Sequence, residues 1–310
     1  MNSELPQTAT AALVDGIRET VRVLAGTPRH GRSSPAEHAA AAKLIAHRLE
    51  DCGCAVNRQE FPIADGNGRR GVNVIGEMRG EDAPAPAVLI GAHYDTRPES
   101  PGADDNASGV AALLACAALL KGRKLARTVV FAAFDAEERQ DPLGGLIGST
   151  AYVASLGVNP RRHIAAAFIF ESVGYASPAG AQKVPFGLKL LFPVQAWKVA
   201  SSGYCGDFLI GLSKGSGNRL ARVLAKRSAS SGLQILPLTV PSWMPAPADL
   251  LRSDHAPVRR AGIPAVMIGD TANFRNPNYH LSTDVPETLD YRMIAAVSEA
   301  VAISVAAFDD

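Results

Sequence analysis

Short apolar runs alternate with longer helical stretches along most of the chain. Ser34-Pro35 followed by AEHAAAAKLIAHRLEDCG predicts a helix, with Ser34 as its N-cap, Pro35 in the first turn and Gly53 just past the end. His38 and His47 fall on that helix and read as surface residues, since neither has a matching partner nearby. Strand-like runs follow at 55–63, 72–77 and 88–90, the last a short apolar run after a Pro-rich loop. Residues 107–120 are apolar nearly throughout, which marks a buried helix. Residues 128–134 and 165–170 read as buried strands, 146–156 as a helix and 265–268 as the last strand. A long amphipathic helix is predicted over 289–307. Residues 176–250 are rich in Gly, Pro and Ser; they predict an irregular, pocket-forming excursion over the sheet, with one helix near 218–230.

Strands alternating with helices predict an α/β fold, a mostly parallel, mixed sheet sandwiched by helices. The 310 residues suit one large domain or two small ones, and are read here as a single domain over 1–310. No internal repeat is visible. In such sheets ligands bind beyond the carboxyl ends of the strands, so the residues just after each strand matter most.

Composition narrows the function classes. Hydrophobic residues make up 47% and charged residues 20%, ample for a globular core. The 31 basic residues nearly cancel the 30 acidic ones, for a formal charge of +1, so nothing points to nucleic acid or another polyanion. The opening MNSELPQTATAALVDGIRETV has no basic segment followed by an apolar one, and no apolar run approaches the roughly 20 residues of a membrane span. Neither a signal peptide nor a membrane partner is expected. Cys52, Cys54, Cys116 and Cys205 form no zinc-finger spacing and no disulfide framework. Free thiols in a reducing cytoplasm are expected.

Metal-type residues stand where the strands end. The run at 88–90 leads into Gly91-Ala92-His93-Tyr94-Asp95-Thr96. The run at 128–134 leads into Asp135-Ala136-Glu137-Glu138, and that at 165–170 into Glu171. Asp105 opens the apolar helix in Gly102-Ala103-Asp104-Asp105-Asn106-Ala107-Ser108-Gly109, and Asn278-Tyr279-His280 precedes the last helix. Singly, each has a plainer reading: a structural His-x-Asp pair, an Asp that caps a helix, two solvated glutamates. Yet Glu137-Glu138 and Glu171 directly follow buried strands, where solvated charge is less expected. Jointly these residues fall at successive strand ends of one sheet, where sites form. Imidazole with carboxylate suits Zn²⁺ and admits Mn²⁺ or Co²⁺.

The runs AHYDT, PGADDNASG, FAAFDAEE and GSTAYV, then RSDHAP and DTANFRNPNYHLSTDVPETLDY, resemble the M28 family of zinc aminopeptidases, in the family's order and over residues 35–305. The resemblance implies a phosphorylase- or hydrolase-like α/β sandwich that cleaves N-terminal residues from peptide or aminoacyl substrates with two Zn²⁺ per chain. It implies that His93 and Glu171 hold one metal, Glu138 and His280 the other, and that Asp105 bridges them. Glu137 would be the general base, and Asp95 would hold the imidazole of His93 in one tautomer. Glu137 suits the base because it neighbours a ligand but stays free to take a proton from water and pass it to the leaving amine. Two positions depart from the family: Glu171 stands where Asp is commoner, and Arg259 where an aromatic residue near the pocket rim is expected.

Three rival readings remain. Gly211-Leu212-Ser213-Lys214-Gly215 matches a nucleophile elbow, with Asp254 and His280 available to complete a triad, but it leaves the carboxylates unexplained. Glutaminyl cyclases share the fold with a single zinc and use an Asp in a place similar to Asp254; they are the runner-up. In Ser253-Asp254-His255 the plain reading is a capping turn. A receptor or scaffold that has lost its ligands is disfavoured because the ligand positions are filled. Asn106-Ala107-Ser108 is a glycosylation sequon by form only. For the specificity pocket, Trp197, Tyr204, Phe208 and Trp243 are candidate walls, although burial statistics favour a core role for each.

Overall fold

Two helices come first in the computed structural model, which describes residues 7–82, 85–138, 144–245 and 251–308. Helix α1 spans Gln7–Leu24 and α2 spans Pro35–Asp51. The sequence pattern hides α1, because Gly16 interrupts it, yet Ile17, Val21 and Leu24 share one buried face. In α2, Pro35 occupies the first turn and Gly53 adopts φ +85 beyond the end, as predicted. Ser34 stands at the N-cap, as predicted, although its side chain makes no cap hydrogen bond.

The strands are β1 (Ala55–Pro62), β2 (Arg70–Met78), β3 (Ala87–His93), β4 (Val129–Phe134), β5 (Ile164–Glu171), β6 (Phe208–Lys214), β7 (Gln234–Val240) and β8 (Ala265–Gly269). They form one sheet in the order β1-β2-β4-β3-β5-β8-β6-β7. Strands β4, β3, β5 and β8 run parallel; β2 pairs antiparallel with β4, and β6 antiparallel with β8. The chain leaves β3 for β4 on one side and reaches β5 on the other, so a crevice opens above β3.

Between the strands lie α3 (Gly109–Leu120), α4 (Ile147–Ser155), α5 (Phe186–Leu191), α6 (Pro193–Ser201), α7 (Asn218–Ser228), α8 (His255–Arg260) and α9 (Tyr291–Ala306). Helices α1, α2, α3, α7 and α9 pack in the large core on one face of the sheet, and α4 and α8 in the smaller core on the other. Helix α3 is apolar all round because it is wedged between β3 and β5 on one side and α9 on the other. The stretch expected to be irregular instead contributes β6 and β7 to the sheet, with α5 and α6 packed over them; its residues 246–250 lie outside the described set. All four cysteines are free.

Candidate active site

The ends of β3, β4 and β5 bring His93, Glu137, Glu138 and Glu171 together, and two loops add Asp105 and His280. Each carboxylate oxygen of Asp105 faces a different imidazole. His93 Nε2 lies 3.3 Å from Asp105 Oδ1 and 3.5 Å from Glu171 Oε1. His280 Nε2 lies 3.0 Å from Asp105 Oδ2 and 3.2 Å from Glu138 Oε1. Glu137 Oε2 stands farther off, 3.9 Å from His93 Nε2. Two groups of three donors thus abut, His93–Glu137–Glu171 and Asp105–Glu138–His280, each with its ligand atoms within 4.8 Å of one another.

Burial and mutual contact shift most of the titratable groups of this cluster. Burial pushes the Glu137 carboxyl well above its ordinary range, against the pull of His93 and with the push of Glu171 and Glu138. Burial and Asp105 drive Glu138 up to about 7. Burial alone would lower both imidazoles, but the surrounding acids raise His93 well above its usual value and His280 to about 9. Burial would raise Asp105, yet contact with His280 and His93 holds it well below the carboxylate range. His93 Nε2 and Asp105 Oδ1 are both buried without a hydrogen-bond partner, facing each other across 3.3 Å. Buried polar atoms rarely go unsatisfied, and a cation between them would serve both. The donor set, two imidazoles with carboxylates, fits two zinc ions.

Backbone donors fix the acids that fix the ligands. The Asp95 carboxylate accepts the backbone N–H of Glu137 and of Glu138, each at 3.1 Å. His93 Nδ1 donates to the Asp95 carbonyl oxygen at 3.2 Å, while the Asp95 carboxylate stands 3.5 Å away. Asp95 thus faces His93 Nδ1 with both its carbonyl oxygen and its carboxylate, and the carboxylate also aligns the two glutamates. Asp284 accepts the backbone N–H of Asp104 at 2.9 Å and of Asp105 at 3.1 Å. Gly102, at φ +62, opens this loop because a Cβ there would collide with the Asp105 carbonyl oxygen.

Comparison with known proteins decides the family. The sequence profile of Peptidase family M28 matches residues 73–202 and 208–305. The chain belongs to peptidase family M28. Uncharacterized protein YfbL of Escherichia coli is 30% identical over 308 residues, 96% of this chain and 89% of YfbL. Relatives of this M28 peptidase that are named aminopeptidases are longer, and the chain spans 44% or less of them. Among solved structures, BSAP, a zinc aminopeptidase from Bacillus subtilis, superposes with a TM-score of 0.71 at 18% identity over 94% of both chains. Porphyromonas gingivalis glutaminyl cyclase gives 0.68 at 21% identity, over 97% of this chain and 98% of that one. These two share the fold with the M28 chain.

Every sequence-predicted ligand of this M28 chain lies in the cluster. The extra methylene of Glu171 is used: one oxygen faces His93, and the other accepts a hydrogen bond of 2.7 Å from Ser253 Oγ. Asp254, fully buried, follows Ser253 in the chain, and burial lifts its carboxyl to about 7. His255 and Arg259 lie in α8 away from the cavity. Asn106 is buried and spends its amide on Phe170, Gly109 and Ser172, so the sequon is structural. Ser213 lies within β6, 2% exposed, and donates to Asn218 Oδ1 at 2.8 Å; it forms no elbow.

Three positions went unread in the sequence. Arg29 is 1% exposed and donates to the carbonyls of Leu24, Tyr94, Pro101 and Gly102 at 2.6–3.0 Å, which ties α1 to the loops of His93 and Asp105. Asp104 accepts from Gly174 N at 2.9 Å and Asn276 Nδ2 at 2.8 Å, joining the loops of Glu171 and His280. His38 is not a surface residue: its Nε2 lies 2.7 Å from Asp135, and its ring stacks on Tyr94. Polar residues in loops, or on a helix such as His38, give no warning of such roles; only a buried position does.

A cavity of about 610 Å³ opens over the cluster. Its apolar wall is Ile210, Leu212, Leu238, Met267 and Phe274. None of the four aromatic residues proposed as walls lines it. Trp197 and Trp243 are exposed and Tyr204 borders on exposed, against burial statistics, and Phe208 is buried under Arg275.

Proposed function

We propose that this M28 chain is an exopeptidase that removes N-terminal residues with a co-catalytic pair of divalent cations, zinc by preference, and Glu137 as general base. The observation that carries this reading is the position of Asp105, whose two oxygens face separate His–Glu pairs. His93, Glu171 and Asp105 would hold one ion, and Asp105, Glu138 and His280 the other. Two such ions supply a polarised carbonyl and an acidified water. Glu137 has the looser contact with His93 and the raised proton affinity of a buried acid near other acids. It takes the proton of the attacking water and delivers it to the departing amine. Asp95 aligns Glu137 and Glu138 through their backbone N–H groups, so base and ligand stay in register. The acids around the site attract a free α-ammonium, which an acetyl cap removes.

Glutaminyl cyclase activity is the second reading, supported by the buried Asp254, next in the chain to Ser253, which bonds Glu171. The filled second group, Asp105–Glu138–His280, weighs against it. The test joins metal analysis with a paired assay of aminoacyl nitroanilides, free and N-acetylated. Two ions per chain and hydrolysis of the free substrates alone are expected. One zinc, with ammonia released from N-terminal glutamine and no peptide bond cut, would transfer the site to the cyclase reading. Equal rates on free and acetylated substrates would remove the aminopeptidase reading.

A further inference from the structure

The cavity is polarised along the sheet. Most of its large apolar residues lie at one end, Met267, Ile210, Leu212 and Leu238 on β8, β6 and β7 with Phe274 beside them, while Leu146 alone lies by the acids. Its acids come from the other end, over β4, β3 and β5. Two arginines also line it, Arg97 and Arg252. Arg252 is exposed and its guanidinium donates to the Tyr279 hydroxyl at 3.4 Å. Arg97 differs. It is half-buried, it follows the His93 loop, and its guanidinium has no hydrogen bond or ion pair among the described residues. It stands four residues past the end of β3, two strands from β8 and the apolar wall that begins there. The four lining acids, Asp105, Glu137, Glu138 and Glu171, are matched in formal charge by two divalent cations. Among the described residues no acid is bonded to Arg97, which lines the substrate space.

A substrate laid along this axis has a fixed order. The side chain of its first residue takes the apolar end. The bond to be cut lies over β5 and β3, at the ligands. The leaving residue extends over β3 and β4, toward Arg97. In a dipeptide that leaving residue ends in a carboxylate, one residue past the cut. Arginine recognises a carboxylate with two parallel hydrogen bonds and full charge.

We propose that Arg97 receives the C-terminal carboxylate of a dipeptide, so that dipeptides with a large apolar first residue are the preferred substrates of this chain. The inference rests on the exopeptidase reading above, and the experiment separates the two. With metal-loaded enzyme, kcat/KM is measured for Leu-Leu and for its C-terminal amide. The free acid is expected to be favoured by about tenfold or more, the usual scale for a charge-assisted hydrogen bond. Arg97→Gln is expected to bring that ratio close to one through KM, and Arg97→Lys to restore part of it. A second readout is free of turnover: calorimetric titration of Leu-Leu and its amide into metal-loaded Glu137→Gln, with and without Arg97→Gln, should give the same preference in Kd. Equal handling of acid and amide by the wild-type enzyme would overturn the proposal, as would a preference that survives Arg97→Gln. Failure to cut either Leu-Leu or leucine nitroanilide would instead strike the exopeptidase reading.

Discussion

Replacing Arg29 by Met tests whether the N-terminal helices take part in building the metal loops. The guanidinium is 1% exposed and donates to four carbonyls, at 2.6 Å to Leu24 and Pro101 and 3.0 Å to Tyr94 and Gly102. Burial lowers its proton affinity to about 10, and Asp284, Asp95 and Asp105 hold it up, so it stays charged at neutral pH. Four orphaned carbonyls at about 1–3 kcal/mol each would set an upper bound. Lifting a charge out of burial returns part of this, so the loss is set at about 3–5 kcal/mol, as for a buried ion parted from its partners. That is a large share of a total stability of about 5–15 kcal/mol. Tyr94 adjoins His93, and Pro101 and Gly102 lead into Asp105. Metal affinity should therefore fall too, by about 10- to 100-fold, as when a ligand's supports are lost. Urea unfolding of metal-free protein reads the first quantity, and competition with a chromophoric chelator reads the second. Arg29→Lys should fall between wild type and Met in both. A stability loss below about 1 kcal/mol would refute the energetic argument. A large loss with unchanged metal affinity would refute the role in positioning the ligands.

Glu137→Gln should lower kcat by about 10²-fold or more with both metals retained, read by elemental analysis and steady-state kinetics; intact turnover would mean that another group is the base. Ser213→Ala should leave hydrolysis unchanged while chelators abolish it, and the reverse pattern would revive a serine nucleophile. The His38–Asp135 contact gives a pH signature. Burial opposes protonation of His38, but the Asp135 hydrogen bond outweighs it, and the folded pKa lies above 6.5. Its stabilisation is thus full below the unfolded value and fades as pH rises through the folded one. Urea midpoints of wild type and His38→Gln should differ more at about pH 5.5 than at about pH 9, and a constant difference would discard the ion pair.

Three of the proposed ligands were legible because each follows or ends an apolar strand at its carboxyl end, where a charge has no structural excuse. His93, Glu138 and Glu171 announce themselves in that way. Arg29 and Asp284 do not, since their partners are backbone N–H and C=O groups that any sequence supplies. Strand β7 was hidden by Pro237, which reads as a strand breaker but is tolerated because β7 is an edge strand of the sheet. With β7 unread, β6 lost one of its two partners, and much of the apolar wall of the cavity went with it. Trp197 and Trp243 misled for the opposite reason: large aromatic residues suggest walls or core, and these two face solvent.

The carboxylate of Asp104 grips Gly174 with one oxygen and Asn276 with the other. Those two residues are the feet of the arch that carries β6, β7 and the apolar wall. An arch clamped at its feet can be lengthened, shortened or re-lined without moving the ground it stands on. Glu171 lies just outside one foot and His280 just beyond the other. Changes of taste in such a peptidase can therefore accumulate in the span, residue by residue, so long as Ser253 and β8, which hold Glu171 from within it, are kept.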